Sequence, residues 1–241
     1  MKDNLPVKRI KATLKKLGDP EQAKVLQRFF KTGPGEYAEG DIFLGIKAPV
    51  IRGIVRQHRD VPVASAANLL SSPIHEERLV ALLMLIARYQ KTDPRGKEEI
   101  YRVYLRNTRY INNWDLVDIT APHIVGTFLM DKTREPLYKL ARSSSVWERR
   151  IAILSTLHFI RNNEYDDTLK IAEILLGDSH DLIHKAAGWM LREVGKRDIS
   201  REEAFLKKHC HRMPRTMLRY AIERFPEKKR QGYMKKGGSH E

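Results

Sequence analysis

Apolar residues recur at helical spacing along most of the chain. They fall at positions i, i+3, i+4 and i+7 in residues 76–89 (EERLVALLMLIARY), 147–160 (WERRIAILSTLHFI) and 182–196 (LIHKAAGWMLREVGK). Alternating segments rich in Val, Ile and Thr, which would indicate β-strands, are scarce. The pattern therefore predicts an all-α fold.

Several of these helices also resemble one another. Each follows a Ser- or Asp-rich turn and carries charged residues before a small residue, which recurs about every 35 residues. These small positions are Ala81, Val117, Ala152, Ala187 and Ala221. Second helices are predicted over 121–132, 164–178 and 200–210. Such a period is typical of a solenoid of stacked antiparallel helix pairs, in which equivalent helices line a concave groove.

The boundaries of the repeats follow from local signals. Pro122 is expected to begin a helix, with Ala121 outside helical geometry. Ser200 and Glu203 fit a capping box. The repeats predict a single domain over residues 1–225. Residues 226–241 are basic and lack an apolar pattern, so we expect a flexible tail there.

The charge of the chain favours a polyanionic partner. Lys and Arg number 45 against 30 acidic residues, which gives a formal net charge of +15. Nucleic acid is the simplest such partner. The longest apolar run, residues 79–87, is too short to cross a membrane, and no signal-peptide core is visible. We therefore expect a cytoplasmic protein without a membrane partner, associated with the nucleoid when bound to DNA.

A metal site is not expected. Cys210 is the only cysteine and lies between two histidines, His209 and His211. Adjacent residues of a helix point in different directions, and no second cysteine pair completes a structural zinc site.

The repeat pattern brings a distinctive set of residues to the predicted groove. Two tryptophans, Trp114 and Trp189, fall near the repeat positions. The accompanying cations are Arg149, Arg150, Lys185, Arg192, Arg215 and Arg219. Cations hold phosphates, and indole rings stack on sugars or bases.

Asp118 is the exception among these cations, because a carboxylate repels phosphate. Such a charge is useful opposite a developing positive charge, as on a sugar during glycosidic bond cleavage. The alternative is that Trp114 is a core residue, that Asp118 is solvated and that Arg149 and Arg150 pair with nearby acids. The spacing alone leaves both interpretations open.

Four motifs resemble those of the AlkD-like DNA alkylation repair glycosylases, a HEAT-like repeat family. They are FLGIKAP (43–49), WDLVDITAP (114–122), WERRIAIL (147–154) and IHKAAGWMLREVGK (183–196). The resemblance extends over about residues 22–225. It implies a monomeric HEAT-like solenoid that removes cationic alkylpurines, such as 3-methyladenine and 7-methylguanine, from duplex DNA. It implies no cofactor, no metal and no deep base-flipping pocket.

The resemblance also implies a role for individual residues. Asp118 would stabilise the sugar cation and place the attacking water. Trp114 would pack against the sugar, Trp189 would form a second aromatic wall, and Arg150 would hold the DNA backbone near the lesion. The implied DNA contacts are Arg192, Lys185, Arg149, Lys47, Arg215 and Arg219.

Three positions depart from the family pattern. Asn113 stands where a second tryptophan is expected. Phe29 stands where the family has an aromatic residue that carries a hydroxyl group, and Leu182 stands where it has an aromatic residue before IHK. These changes keep open a catalytically silent DNA-binding protein that recognises DNA shape or junctions. An RNA-binding repeat protein would need a regular base code in every repeat. A protein-interaction solenoid would not need so strong a positive charge.

Overall fold

The structure is a computed structural model, and it describes residues 5–236 of the chain. Within that range the fold is all α, as the apolar spacing predicted, and the only β pairing is a single bridge between Ile42 and Ile74. The described residues group into two compact units, with the boundary between Leu116 and Val117. The single domain over residues 1–225 therefore stays a prediction.

The first unit contains six helices within its described part. They are α1 (Leu5–Leu17), α2 (Pro20–Phe29), α3 (Ala48–Gln57), α4 (Val63–Leu70), α5 (His75–Tyr89) and α6 (Pro94–Arg106). Asp19 caps α2 and Asp93 caps α6, because their carboxylates accept hydrogen bonds from the first free backbone N–H groups of each helix. Helix α5 packs on both α3 and α4 and contributes more buried apolar side chains than any other helix of this unit.

Helix α7 (Trp114–Ala121) spans the boundary, and the remaining helices belong to the second unit. They are α8 (Thr127–Leu129), α9 (Glu135–Ala141), α10 (Val146–Arg161), α11 (Asp166–Ile174), α12 (Asp181–Gly195), α13 (Ile199–His209), α14 (Arg215–Ala221) and α15 (Glu227–Lys236). Helix α12 lies between α10 and α14 and contacts both. A Cβ atom at Gly188 would meet the Met217 carbonyl oxygen at 2.4 Å, so glycine permits the close approach of α12 and α14.

The repeat predicted from the sequence is confirmed by burial. Its five small positions lie on α5, α7, α10, α12 and α14, and all five are fully buried. These positions are Ala81, Val117, Ala152, Ala187 and Ala221. The small residues allow successive helices to pack closely, which explains the period in the sequence.

Two predicted helix boundaries are wrong. Ala121 is helical, with φ −57° and ψ −45°, and the chain continues through Pro122 in a π turn over Pro122–Gly126. A π turn pairs residues five apart, so it accommodates a proline that lacks an N–H group. Helix α13 is capped by Asp198, which accepts hydrogen bonds from the N–H groups of Ser200 and Arg201, and it begins at Ile199.

The segment predicted to be a flexible tail is helical over most of its length. Residues 227–236 form α15, while residues 237–241 lie outside the described residues. Tyr233 packs edge-on against Phe225, with the ring centroids 5.8 Å apart, and Arg215 donates a hydrogen bond to the Met234 carbonyl oxygen at 2.6 Å. Few apolar residues suffice here because one aromatic contact and polar contacts with neighbouring helices hold the segment.

Candidate active site

Asp118 on α7 and Arg150 on α10 form a two-point ion pair. Arg150 Nε lies 2.7 Å from Asp118 Oδ1, and Arg150 Nη2 lies 2.8 Å from Asp118 Oδ2. Arg150 Nη1 donates a third hydrogen bond, to the Leu182 carbonyl oxygen on α12, at 2.5 Å. The planar guanidinium therefore connects three successive repeat helices and fixes the orientation of the Asp118 carboxylate.

Burial distinguishes the two partners. The Arg150 side chain is 6 % exposed, whereas that of Asp118 is 16 % exposed. Arg150 therefore serves first to hold Asp118, and its predicted contact with the DNA backbone stays a prediction. Asp118 retains an exposed portion from which a carboxylate oxygen can act on a reacting group or a water.

The π turn begins at Pro122, four residues after Asp118. Proline at position 122 removes the N–H group that a regular α-helix would direct to the carbonyl of residue 118. The turn at Pro122–Gly126 changes the pairing there. Single π turns are frequent at functional sites because they locally change the direction of a helix.

Trp189 lies on α12, half-buried, with its indole held in one orientation. Its Nε1 donates a hydrogen bond to Glu193 Oε1 at 2.9 Å, one turn later on the same helix. The partly exposed ring can still contact a ligand. Lys185, one turn earlier, pairs with Asp181 at 2.7 Å, and both side chains are largely exposed.

Most of the other predicted DNA-binding cations of the second unit have partners within the protein. Arg149 pairs with Asp178 at 2.5 Å and donates hydrogen bonds to the carbonyl oxygens of Ser143 and Ser144. Arg192 pairs with Glu223. These side chains are 17 % and 16 % exposed, so their protein contacts dominate.

The remaining predicted DNA contacts are more accessible. Arg219 is exposed and donates a hydrogen bond to Thr216 Oγ1 at 3.1 Å. Lys47, in the first unit, is exposed at the start of α3 and provides no side-chain cap for that helix. The structure therefore separates the predicted set into paired structural cations and accessible ones.

In the first unit, Trp114 belongs to an aromatic cluster. Its ring stacks on Phe30 with a centroid distance of 5.2 Å, and Phe29 meets it edge-on at 5.9 Å. Phe29 is 62 % exposed, so part of this cluster faces solvent. Stacked and edge-on pairs fix the rings and leave an apolar surface.

Below this cluster lies a buried charge network that the sequence analysis missed. His75 Nε2 lies 2.8 Å from Asp115 Oδ2 and His75 Nδ1 lies 3.4 Å from Asp41, while Arg78 pairs with Asp41 at 2.7 Å. Burial alone would lower the pKa of His75, but the hydrogen bonds to Asp115 and Asp41 outweigh it and raise the pKa. Burial would raise the pKa of Asp41, yet the His75 hydrogen bond and the Arg78 charge lower it. Asp115 is thus a structural residue of this network.

A second missed feature is the carboxylate of Glu76. It accepts hydrogen bonds from the backbone N–H groups of Leu44, Gly45 and Ile46 at 2.9–3.2 Å and so fixes the loop of the FLGIKAP motif. Gly45 has φ 81°, a conformation that favours glycine. The only signal in the sequence was an acidic residue at the start of an apolar helix, which is ordinarily a solvated position.

The His, Cys, Asp and Glu side chains of the described residues form no metal-binding cluster. No group of three or more His, Cys, Asp or Glu side chains within residues 5–236 has the arrangement of a metal site. In the His-Cys-His sequence, Cys210 is a buried free thiol and His209 packs against Phe205 at a ring distance of 4.5 Å.

None of the helices between residues 5 and 236 combines the length and apolar character needed to span a membrane.

Residues 10–225 match the family described as DNA alkylation repair enzyme. The match covers most of the chain and includes Asp118, Arg150 and Trp189. The chain belongs to this family. Membership confirms the resemblance stated from the motifs, and it assigns the protein to the repair of alkylated DNA, with DNA as the partner.

A solved structure of the DNA alkylation repair family is similar to this chain. It is the "Predicted DNA alkylation repair enzyme from Enterococcus faecalis", with a TM-score of 0.67 and 17 % sequence identity, covering 87 % of this chain and 97 % of the other. At this identity the similarity shows the shared all-α helical repeat fold. No curated protein sequence matches the chain.

The three departures from the family pattern have different structural consequences. Asn113 is fully buried, accepts a hydrogen bond from the Trp114 N–H and donates one to Asp41, so it is part of the charge network. Leu182 contributes its backbone carbonyl to Arg150, a contact that any side chain would allow. Phe29 keeps the aromatic contact with Trp114 without a hydroxyl.

Proposed function

We propose that the chain is a DNA glycosylase that hydrolyses the N-glycosidic bond of cationic alkylpurines, of the 3-methyladenine and 7-methylguanine type, in duplex DNA. The observation that carries the proposal is the Asp118 carboxylate, held by Arg150 at two points and still partly exposed. Family membership supports DNA as the substrate and alkylation as the damage.

The chemistry fits a single carboxylate. An alkylated purine with a positive ring leaves as a neutral base when the bond to the sugar C1′ breaks, so no acid has to protonate it. The positive charge then moves to the sugar, where a fixed anion stabilises it. Water adds at C1′, and the proton that it loses can pass to the Asp118 carboxylate or to solvent. Arg150 acts as a positioning residue, because it keeps the carboxylate in one orientation without contacting the sugar.

The two tryptophans have supporting roles in this proposal. Trp189, oriented by Glu193, presents an aromatic surface in the second unit. Trp114 is proposed to pack against the sugar of the lesion, with Phe30 behind its ring. Because Asp118 lies near the surface, the lesion need not enter a deep pocket. We further propose that the protein acts as a monomer on DNA in the cytoplasm.

The proposal is tested by release of 7-methylguanine from methylated duplex DNA under single-turnover conditions. Asp118→Asn should lower the excision rate by about 10²–10³-fold, because the neutral amide no longer stabilises the sugar cation. Its affinity for methylated DNA should be equal to or higher than that of the wild type, because a negative charge is removed.

The matched control is Asp181→Asn, which removes one carboxylate from an exposed pair on α12. It should excise at close to the wild-type rate. A wild-type rate for Asp118→Asn would contradict the mechanism. If the wild-type protein bound DNA but released no base from any alkylated purine, the catalytically silent DNA-binding protein would be the better interpretation.

A further inference from the structure

A basic cleft lies in the first unit at the carboxyl ends of α3 and α5. It has a volume of about 600 Å³, and Arg56, Arg59, Arg88 and Lys91 line it together with a single acid, Asp60. All five side chains are exposed. None of these positions was predicted from the repeat pattern or from the family resemblance. The cleft therefore concentrates positive charge away from the predicted site residues.

These four cations have no partner in the part of the chain that the structure describes. No side-chain hydrogen bond or ion pair involves them within residues 5–236, although Asp60 lies in the same cleft. Some arginines elsewhere are paired, since Arg102 binds Glu98 and Arg134 binds Glu164 and Asp167. In the cleft, by contrast, four cations lie close to a single acid, Asp60, and none of the four forms an ion pair within residues 5–236.

Attraction to the helix carboxyl ends accounts for only part of the cluster, because Arg56 and Arg88 lie in the last turns of α3 and α5 but Arg59 and Lys91 do not. A cation at a helix end is stabilised by the aligned backbone carbonyls, and it often donates a hydrogen bond to them. Arg134 and Arg142 do so, to the carbonyls of Met130 and Tyr138. Arg56 and Arg88 make no such bond among the described residues, and Arg59 and Lys91 lie beyond the helix ends.

We propose that this cleft is a second DNA-binding site, which takes consecutive backbone phosphates of duplex DNA without reading the bases. Several cations in one cleft repel one another, and a ligand with several negative charges at regular spacing relieves this repulsion. The lining side chains of Gln57, Gln90 and Thr92 add hydrogen-bond donors suited to phosphate oxygens. Family membership supports DNA among the possible polyanions.

The test measures the binding of undamaged duplex DNA from 50 to 200 mM salt. The triple variant Arg56→Gln, Arg59→Gln, Arg88→Gln should bind at least about tenfold more weakly at 100 mM salt. The slope of log K against log salt should become shallower by about 2–3, because each phosphate contact contributes about 0.9. Its melting temperature should not fall, because the removed charges have no partners.

The matched control removes the same number of charges from α6, as Lys97→Gln, Arg102→Gln, Arg106→Gln. These cations share their helix with Glu98 and Glu99, and Arg102 is paired. The control should change the affinity by less than about threefold and the slope by less than about 1. Equal effects of the two triple variants would overturn the proposal, because net charge alone would then explain them.

A variant that removes a negative charge from the cleft tests the same proposal, with the opposite expected effect on DNA binding. Asp60→Asn should strengthen DNA binding by about threefold or more and steepen the salt dependence, because it removes the one acid in the cleft. Glu99→Gln, an exposed acid on α6, should have a smaller effect. An unchanged affinity for Asp60→Asn would contradict the proposal. Since the assay uses undamaged DNA and follows no chemistry, its failure would leave the glycosylase proposal untouched.

Discussion

Two sets of arginines, one in each unit, differ in their contacts. In the second unit Arg149, Arg150 and Arg192 all bind carboxylates and are largely buried. In the first unit Arg56 and Arg88 share an open cleft and bind no protein group among the described residues. Each of these arginines contributes one positive charge to the formal net charge. The difference shows that the pairing of a cation, more than its presence, indicates whether it is available to an anionic ligand.

The paired arginines Arg149, Arg150 and Arg192 of the second unit all connect neighbouring repeats. Their partners lie about one repeat away in the sequence, since Arg150 binds Asp118 and the carbonyl of Leu182. Arg149 reaches Asp178 and Arg192 reaches Glu223 across similar separations. These contacts link successive helix pairs, as neighbouring units of a repeat protein stabilise one another. The same residue types that suggested DNA contacts therefore hold the repeats together.

The largest expected effect on stability comes from Arg150→Ala. It would remove the two-point ion pair with Asp118 and the hydrogen bond to the Leu182 carbonyl oxygen, so the free energy of unfolding should fall by about 3–5 kcal/mol. Urea denaturation followed by circular dichroism measures this. Arg150→Lys should recover part of the stability but not the two-point geometry. A loss below about 1 kcal/mol for Arg150→Ala would place this arginine with the unpaired cations.

Glu202 is the reverse case, a buried carboxyl of the second unit that forms no ion pair within residues 5–236, although the charges of Arg192 and Lys229 act on it. It is 1 % exposed, and its Oε1 has no hydrogen-bond partner. Burial, with the nearby Glu203 charge, raises its pKa from 4.5 to about 8. The folded state therefore binds this proton more tightly than the unfolded state. The resulting stabilisation is complete below about pH 4.5 and is lost as the pH rises through about 8.

Glu202→Gln should accordingly gain stability relative to the wild type as the pH rises from 5 to 8, by about 3–4 kcal/mol. Thermal unfolding across this pH range provides the measurement. Glu203→Gln, which changes a more exposed neighbour, is the control and should leave most of the pH dependence in place. An identical pH profile for Glu202→Gln and the wild type would show that Glu202 is ionised in the folded protein.

Two single variants, Arg149→Gln and Arg88→Gln, test directly whether the paired and unpaired arginines differ. Arg149→Gln should lower the free energy of unfolding by about 1–2 kcal/mol, because it removes hydrogen bonds to Asp178 and two carbonyls. Arg88→Gln should leave stability unchanged and make the salt dependence of DNA binding shallower by about 1. Chemical denaturation and binding titrations on both variants would show whether the two effects separate. If Arg88→Gln lowered stability while Arg149→Gln changed only DNA binding, the two sets of arginines would not differ as described.

The smallest effect is expected for Lys185→Gln. Lys185 pairs with Asp181, but the two side chains are 41 % and 56 % exposed. Exposed pairs of this kind contribute less than about 0.5 kcal/mol, so the melting temperature should hardly change. If Lys185 binds DNA as predicted, the variant should bind more weakly in a titration at low salt. A marked loss of stability would instead group it with Arg149.

Several features of the fold could be predicted from the sequence because they depend on local spacing. Apolar periodicity gave the helices, and the small residues gave the repeat whose five positions are all buried. The local signal failed at Pro122, where a π turn carries the helix past the proline. The helix over residues 227–236 had no apolar pattern to indicate it, because contacts with Phe225 and Arg215 from elsewhere in the chain hold it.

The sequence by itself determined the all-α repeat, the family and the choice of Asp118 as the candidate carboxylate. These follow from periodicity and from residues that stand close together in the chain. Only the tertiary structure decided which cations are paired, because the partners of Arg149 and Arg150 lie 29–32 residues away. It also decided that Arg56 and Arg88, from different helices, share one cleft. A charge has a sign in the sequence, but its partner and its solvation are set only when distant segments pack together.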